Sequence, residues 1–254
     1  MPNELCGFNP SPAPLTFIIP AYNEEAILAA NIDRLRTFLK ECGIGEYELI
    51  VVSNGSTDRT VEIARACAVG RADLTVIELP RRGVGMAFKE GVRHARYERL
   101  ISLDLDLTID LGFIESAAGL LGQVHLVIGS KQVGSQQRSW VRRLASATFI
   151  VCTRTLLGLR FTDYSIGAKA YRKGVIEPYL PYLADGSAYV LQLMAWRAWA
   201  GSPIAEVPVR CEDYRKSRFN LLHEGLYRFG SLVPLSFQRW GRKTTPVGYG
   251  CDGP

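Results

Sequence analysis

Tyr47-Glu48-Leu49-Ile50-Val51-Val52-Ser53-Asn54-Gly55-Ser56-Thr57-Asp58 passes from an apolar run to turn chemistry and then to a helix start. The run up to Val52 reads as a buried strand. Asn54-Gly55 supplies a turn. Ser56 or Thr57 is the expected N-cap, with Asp58 in the first helical turn. The same unit recurs on either side. Leu15–Ile19 is an apolar strand ending at Pro20, and Tyr22-Asn23-Glu24 opens a helix. In that helix Leu28, Ile32, Leu35 and Leu39 are spaced to share one face. Leu74–Leu79 is a strand and Gly83–Arg96 a helix; Leu100–Leu103 is a strand running into Asp104. A helix over Leu111–Leu121 and a strand over Val124–Ile128 continue the alternation. This order predicts an α/β fold: a mostly parallel central sheet with helices on both faces and ligands beyond the C-terminal strand ends.

The second half is less regular. Trp140–Leu157 predicts a basic amphipathic helix, Ile166–Tyr171 a strand, Asp185–Ala200 a helix and Ile204–Val209 an edge strand bordered by prolines. After Arg210 the pattern thins into a basic loop and an aromatic-rich tail. The expected organisation is a loose lead-in over 1–14, one domain over 15–222 and a C-terminal tail over 223–254. Leu221–Trp240 mixes Leu, Phe, Tyr and Trp with Arg228 and Arg239, which suits either a membrane surface or packing against the domain.

The chain has 254 residues, 47% of them hydrophobic and 22% charged, with a net charge of +5. These are the proportions of a soluble globular protein. The positive excess is local. Lys131, Arg138, Arg142, Arg143, Arg154, Arg160, Lys169, Arg172 and Lys173 face one acid, Asp163, between Gly129 and Lys173. A basic segment inside a folded domain points to an anionic partner. The cysteines at 6, 42, 67, 152, 211 and 251 show no CxxC pair and read as free thiols of a reducing compartment. His94, His125 and His223 are scattered, which speaks against a His-based metal site. No secretory signal is evident, and no uncharged apolar run reaches the roughly 18 residues of a membrane span. A cytoplasmic protein, peripheral on the inner face of a membrane, is expected.

Asp104-Leu105-Asp106 is the sharpest chemical feature. In an extended segment the two carboxylates face one side, and two hard oxygen ligands at a strand exit suit Mg²⁺ or Mn²⁺. Alone, the pattern is equally an acidic turn; the strand–helix units before it favour a site. Asn54-Gly55-Ser56-Thr57-Asp58 and Gly83-Val84-Gly85 open helices whose amides suit a nucleotide and a diphosphate. The second is no dinucleotide fingerprint, because Phe88 occupies the third glycine position, and no P-loop pattern exists. Arg142, Arg143, Arg154 and the loop Arg215-Lys216-Ser217-Arg218 are candidates for gripping an anionic acceptor. A solvated basic face explains such runs as well.

Taken together and in order, Ile19-Pro20-Ala21-Tyr22-Asn23-Glu24, Val51 to Asp58, Arg82-Gly83-Val84-Gly85-Met86-Ala87 and Asp104-Leu105-Asp106-Leu107-Thr108 resemble glycosyltransferase family 2. Gly129-Ser130-Lys131, Arg142-Arg143, Asp163 to Arg172, Glu206-Val207-Pro208-Val209 and Ser217-Arg218 resemble its polyprenyl-phosphate branch, which includes dolichyl-phosphate mannose and glucose synthases. The resemblance implies a GT-A fold and inverting transfer of a hexose from a GDP-mannose or UDP-glucose type donor to a polyprenyl phosphate. It implies Pro20, Tyr22, Glu24, Asn54 and Gly83 around the nucleotide sugar. It places metal and diphosphate on Asp104 and Asp106. The acceptor phosphate falls to Lys131, Arg142, Arg143, Arg215 and Arg218. Ser53-Asn54 stands where the family often has Asp-Asp, and Val84 where it often has Lys. The rival readings are a family 2 transferase with a soluble or glycan acceptor and a basic nucleic-acid-binding module. The second wants exposed aromatics interleaved with basic residues on a sheet, whereas here the charges sit on a helix and a loop, so no nucleic-acid partner is expected.

Overall fold

The computed structural model describes residues 13–131, 140–164, 166–210 and 221–241. Strand–helix units come first: β1 (Leu15–Ala21), α1 (Leu28–Glu41), β2 (Tyr47–Asn54), α2 (Thr60–Ala68), β3 (Leu74–Leu79), α3 (Val84–His94), β4 (Arg99–Ser102) and α4 (Gly112–Leu120). They are followed by β5 (Leu126–Ser130), α5 (Trp140–Leu157), β6 (Lys169–Arg172) and α6 (Lys173–Ile176), which runs into a 3-10 turn over Glu177–Tyr182. The described elements end with α7 (Tyr189–Trp199), β7 (Ile204–Pro208) and α8 (Leu221–Trp240).

The strands form one sheet in the order β3-β2-β1-β4-β6-β5-β7. β1 is parallel to β2 and β4, β2 to β3, and β5 to β7, while β6 runs antiparallel between β4 and β5. Connection order reverses at β1, with β2 on one side and β4 on the other. That reversal opens a crevice beyond their C-terminal ends.

Strand alternation divides the apolar residues between two helical layers. Phe17, Ile19 and Val51 meet Leu28, Ile32, Leu35 and Leu39 of α1, the face expected from their spacing. Ile18, Ile50 and Val52 point the other way, onto Phe88 and Val92 of α3 and Leu193, Met194 and Trp196 of α7. Burial on both faces is why these strands read as unbroken apolar runs.

Three local expectations change. The N-cap of α2 is Arg59, not Ser56 or Thr57, and Asp58 lies just before it rather than in the first turn, its Oδ1 accepting the Thr60 amide at 2.9 Å. The strand expected from Ile166 pairs only from Lys169 onward, because Ile166 belongs to a turn in which its amide donates to Asp163 Oδ1 at 3.1 Å. The segment after residue 220 contains the 20-residue helix α8 rather than an irregular tail. One face of α8 packs on the domain: Leu232 and Leu235 are buried, Phe229 meets Phe149 edge-on at 5.2 Å, and Gln238 accepts from Trp196 Nε1 at 2.9 Å. Its other face leaves Val233, Phe237 and Trp240 exposed. Among the described residues, no helix is long and apolar enough to cross a membrane, and Cys42, Cys67 and Cys152 are free thiols.

At the sheet edge away from the crevice, the buried Glu48 ties three elements together. Its Oε1 accepts from Thr16 Oγ1 and from the Arg96 amide, both at 2.6 Å, and its Oε2 from Arg96 Nε at 2.8 Å. Glu48→Ala leaves the Thr16 hydroxyl and the Arg96 amide short of an acceptor. It is expected to cost about 2–3 kcal/mol of stability, read as a lowered urea midpoint at unchanged slope.

Candidate active site

The loops after β1 and β2 are laced together before they reach the crevice. Asn23 adopts φ +53, a left-handed conformation that Asn tolerates. There its Oδ1 accepts the Thr57 amide at 2.8 Å while its own amide donates to Ser56 Oγ at 3.1 Å. The Glu24 amide donates to Thr60 Oγ1 at 2.8 Å. The Tyr22 ring carries the Arg82 guanidinium 4.4 Å above its centroid, a cation–π pair. Pro20, Tyr22 and Glu24 thus stand together, partly exposed, at the exit of β1. Asn54 is buried. Its Nδ2 donates to Ala21 O at 2.9 Å, and its Oδ1 accepts the Gly83 amide at 3.3 Å, so its side chain fixes the distance between three loops.

Gly83 and Gly85 stand at the start of α3, where both make close backbone contacts. The amides of Gly85 and Met86, at the start of α3, donate to Asp185 O at 2.8 and 3.2 Å. A Cβ on Gly85 would lie 2.1 Å from Ala184 O. The glycine admits the backbone of residues 184–186 onto the helix N-terminus. Asp185 is then pinned by Lys89 at 2.6 Å and Arg81 at 3.2 Å, and these cations hold its carboxyl below the usual range, the Lys89 bond foremost.

Asp104-Leu105-Asp106 lies at the exit of β4 in a tight turn rather than an extended segment. The Leu107 amide donates to Asp104 O at 3.1 Å, and Leu107 takes φ +46. That region is unfavourable for a bulky residue, costing about 1–2 kcal/mol. The turn is held from α1, where Asn31 Nδ2 donates to Leu105 O at 2.9 Å and Arg34 Nη1 to Leu107 O at 3.4 Å. Leu103, Leu105 and Leu107 point into the core, while Asp104 is exposed and Asp106 half-buried. A turn thus stands in place of the extended segment from which a shared orientation was expected, and within it Asp106 Oδ1 accepts the Thr108 amide at 3.3 Å.

Asp104 meets the solvent of the crevice, yet protein crowds it from its other sides. That crowding raises its pKa, opposed by the charges of Lys131, Lys169 and Arg228 and by the Gly167 amide, which donates to it. Gly167 is required here: a Cβ would sit 2.3 Å from Asp104 Oδ2. Lys169 is fully buried, its Nζ donating to Ile166 O. Burial pushes its pKa down to about 8, against the attraction of Asp163 and Asp104 and with the repulsion of Arg228 and Lys131. The charges of Lys131, just after β5, Lys169 of β6 and Arg228 of α8 thus all act on one carboxylate, which Asp163 helps to offset at Lys169.

Of the residues expected from sequence, Lys131 acts electrostatically on Asp104. Arg142 and Arg143 fall at the start of α5 with side chains outside the described residues, and Arg215 and Arg218 lie outside them altogether. Gly167, Lys169 and Arg228 were not anticipated. A lysine in an apolar strand and helical spacing through Phe229, Leu232 and Leu235 are the signals that mark the last two. Two carboxylates fit a hard divalent cation only if phosphate and water oxygens complete its shell. Among the described residues, no group of three His, Cys, Asp or Glu side chains converges to hold a metal unaided.

The family model for glycosyl transferase family 2 matches residues 16–180. The chain belongs to that family. It is 30% identical over 185 residues to the undecaprenyl-phosphate 4-deoxy-4-formamido-L-arabinose transferase of Pseudomonas aeruginosa, covering 68% of this chain and 54% of the relative. To the same enzyme of Edwardsiella ictaluri it is 30% identical, covering 65% and 51%. The chain spans about half the length of these relatives. Glucosyl-3-phosphoglycerate synthase from Mycobacterium tuberculosis, solved with Mn²⁺, UDP-glucose and phosphoglyceric acid, superposes with a TM-score of 0.66 at 21% identity, covering 93% of this chain and 81% of that one. The fold is GT-A, as the family resemblance implied.

Gly167→Ala pushes a methyl group into the Asp104 carboxylate. A displacement near 1 Å at a reacting centre costs about 100-fold in rate. The variant is expected to lose about that much kcat/KM in sugar transfer while its circular dichroism spectrum stays that of the wild type.

Proposed function

We propose that this glycosyltransferase moves a hexose, with inversion, from a nucleotide sugar of the GDP-mannose or UDP-glucose type to a polyprenyl phosphate of the dolichyl or undecaprenyl kind. The positive charges of Lys131, Lys169 and Arg228 that act on Asp104 carry this reading. Cations crowded about one carboxylate repel one another, and phosphate groups offset that repulsion. The names of the relatives, which transfer a sugar to undecaprenyl phosphate, support the acceptor.

In this reading Pro20, Tyr22 and Glu24 form the wall for the nucleotide, and Asn54 with Gly83 sets its spacing. Asp104 and Asp106 hold a divalent cation, Mg²⁺ or Mn²⁺, whose bound form neutralises charge on the departing diphosphate. Mn²⁺ in the mycobacterial synthase supports that choice. Lys131, Arg142, Arg143, Arg215 and Arg218 orient the acceptor. A phosphate monoester is mostly dianionic at neutral pH, its second pKa being about 6. Its oxygen attacks the anomeric carbon as the bond to the diphosphate breaks on the opposite face, and no protein base has to remove a proton. Rate then comes from positioning and from electrostatic stabilisation of the leaving group.

The exposed Val233, Phe237 and Trp240 of α8 form an apolar stripe beside basic residues, which suits a peripheral contact with the cytoplasmic face of a membrane carrying such an acceptor. Because Leu232 and Leu235 belong to the core, the contact is tested on the outer face alone. Phe237→Ser with Trp240→Ser is expected to abolish flotation with anionic liposomes at unchanged melting temperature; undiminished flotation rejects it.

Incubation with Mn²⁺ or Mg²⁺, labelled nucleotide sugars and polyprenyl phosphate is expected to carry label into organic solvent with one donor, and Asp106→Ala is expected to abolish this without unfolding. Label released only as free sugar rejects the lipid acceptor. Full activity of Asp106→Ala rejects the metal assignment.

A further inference from the structure

We propose that the hollow between the last turns of α5 and α8 binds the phosphate headgroup of an anionic membrane lipid, apart from the active-site crevice. This rests on the reading that α8 meets a membrane.

The hollow measures about 550 Å³, within the range of small-molecule sites, and is lined by Arg154, Gly158, Leu159, Arg160 and Arg239. Each arginine is brought there for its own reason. Gly158 ends α5 in the left-handed region at φ +68, its amide donating to Arg154 O at 3.0 Å, a conformation that glycine adopts without strain. The missing side chain seats the Arg239 guanidinium, since a Cβ on Gly158 would lie 2.5 Å from Arg239 Nη2. Arg239 Nη1 donates to Leu156 O at 2.8 Å and Thr155 O at 3.3 Å, closing α8 onto α5. Arg154 stands in the last turn of α5, and Arg160, just beyond that turn, is exposed.

Among the described residues, none of the three arginines forms an ion pair with a carboxylate. Glu206 lines an adjoining hollow with Arg160, but its Oε1 accepts the Thr162 amide and hydroxyl, both at 2.8 Å. Asp163 is buried, its Oδ1 accepting the Ile166 amide at 3.1 Å. The C-terminal ends of α5 and α8 each contribute about half a negative charge. Three guanidiniums set against Glu206 and both helix ends leave about one positive charge, which matches a singly charged phosphodiester. The paired N–H donors of arginine fit its oxygens.

The surroundings select a lipid over a soluble anion. The adjoining hollow, about 340 Å³, shares Gly158, Leu159 and Arg160 with the first and is walled by Phe161, Trp199 and Ile204. Val151, three residues before Arg154 and on the same face of α5, is exposed, as are Phe237 and Trp240 on either side of Arg239 in sequence. A soluble anion gains nothing from such neighbours. A lipid sets its phosphate on the arginines and its first acyl carbons on the apolar side chains. Tyr227 packs on Gly186 beside the start of α3, twelve residues before Arg239. Helix α8 therefore holds the hollow about 18 Å from the crevice side. The site is an anchor that orients the enzyme, and the acceptor phosphate is held elsewhere.

The test is calorimetric titration with dihexanoyl phosphatidylglycerol below its critical micelle concentration, beside dihexanoyl phosphatidylcholine and inorganic phosphate. The proteins are wild type, Arg160→Gln and Arg160→Lys. Wild type is expected to bind the phosphatidylglycerol saturably and more tightly than either control. Loss of a charge-assisted contact predicts that Arg160→Gln weakens this binding by about 10–100-fold at unchanged melting temperature, and Arg160→Lys should recover part of the loss. Sugar transfer to polyprenyl phosphate in detergent should be unaltered in Arg160→Gln. Absent or unsaturable binding of phosphatidylglycerol overturns the proposal, as does unchanged affinity in Arg160→Gln or equally tight binding of inorganic phosphate. A matching loss of kcat/KM in sugar transfer also overturns it, by placing the acceptor in this hollow. Flotation with phosphatidylglycerol vesicles separates the site from the reading it rests on. Saturable binding without flotation supports the headgroup site and rejects the membrane contact of α8; flotation without saturable binding does the reverse.

Discussion

The carboxylate of Asp104 has to stay charged while protein closes around it, and much of the crevice is arranged to meet that demand. Burial alone favours the protonated acid. Opposing it are the Gly167 amide, which needs a residue without a side chain to come so near, and three cations. Lys169 is among these cations because β6 runs antiparallel beside β4, setting Lys169 opposite Ser102 at the very end of the β4 ladder. Reversing that strand would carry the lysine to the far edge of the sheet. The antiparallel strand in a largely parallel sheet is thus part of the site's electrostatics.

The docking of α8 sets it against the elements of the candidate site. A helix near the end of a chain can dock for stability alone, and Leu232 and Leu235 do provide that. The Tyr227 contact with Gly186 does something further. It continues a series of contacts from the Tyr22–Arg82 pair through Asn54, Gly83 and Asp185 to the helix that carries Arg228. The wall assigned to the nucleotide and the cations around Asp104 are thereby set against one another by short-range contacts rather than by one long loop.

The first half of this fold was legible because its signals are local. Leu28, Ile32, Leu35 and Leu39 declare a helical face by spacing alone, and the apolar runs of β1 and β2 declare strands covered on both sides. The acidic pair was legible as a pair, with a turn as one of its two readings, but the left-handed Leu107 and the bonds from Asn31 and Arg34 of α1 that hold the turn were not. Gly83 and Gly85 were legible as a helix start, but their neighbours at residues 184–186 lie a hundred residues away in sequence. Arg228 was hidden for a related reason: its meaning depends on where α8 docks, which the aromatic content of the segment does not specify.

Helix α5 gives the acceptor reading a further physical argument. Its C-terminal carbonyls, the negative end of the helix dipole, meet Arg239 directly and have Arg154 in the last turn, both favourable placements. The opposite end is arranged against stability. Arg142 and Arg143 stand in the first turn, where no acidic residue accompanies them, so positive side chains add to the positive end of the dipole. Each such charge costs about 0.3–1 kcal/mol where solvent screens it. A phosphate bound near that end would reverse the sign of the term, since a helix N-terminus favours an anion. In the proposed reaction, an acceptor phosphate bound where α5 begins would both relieve that cost and hold the nucleophile.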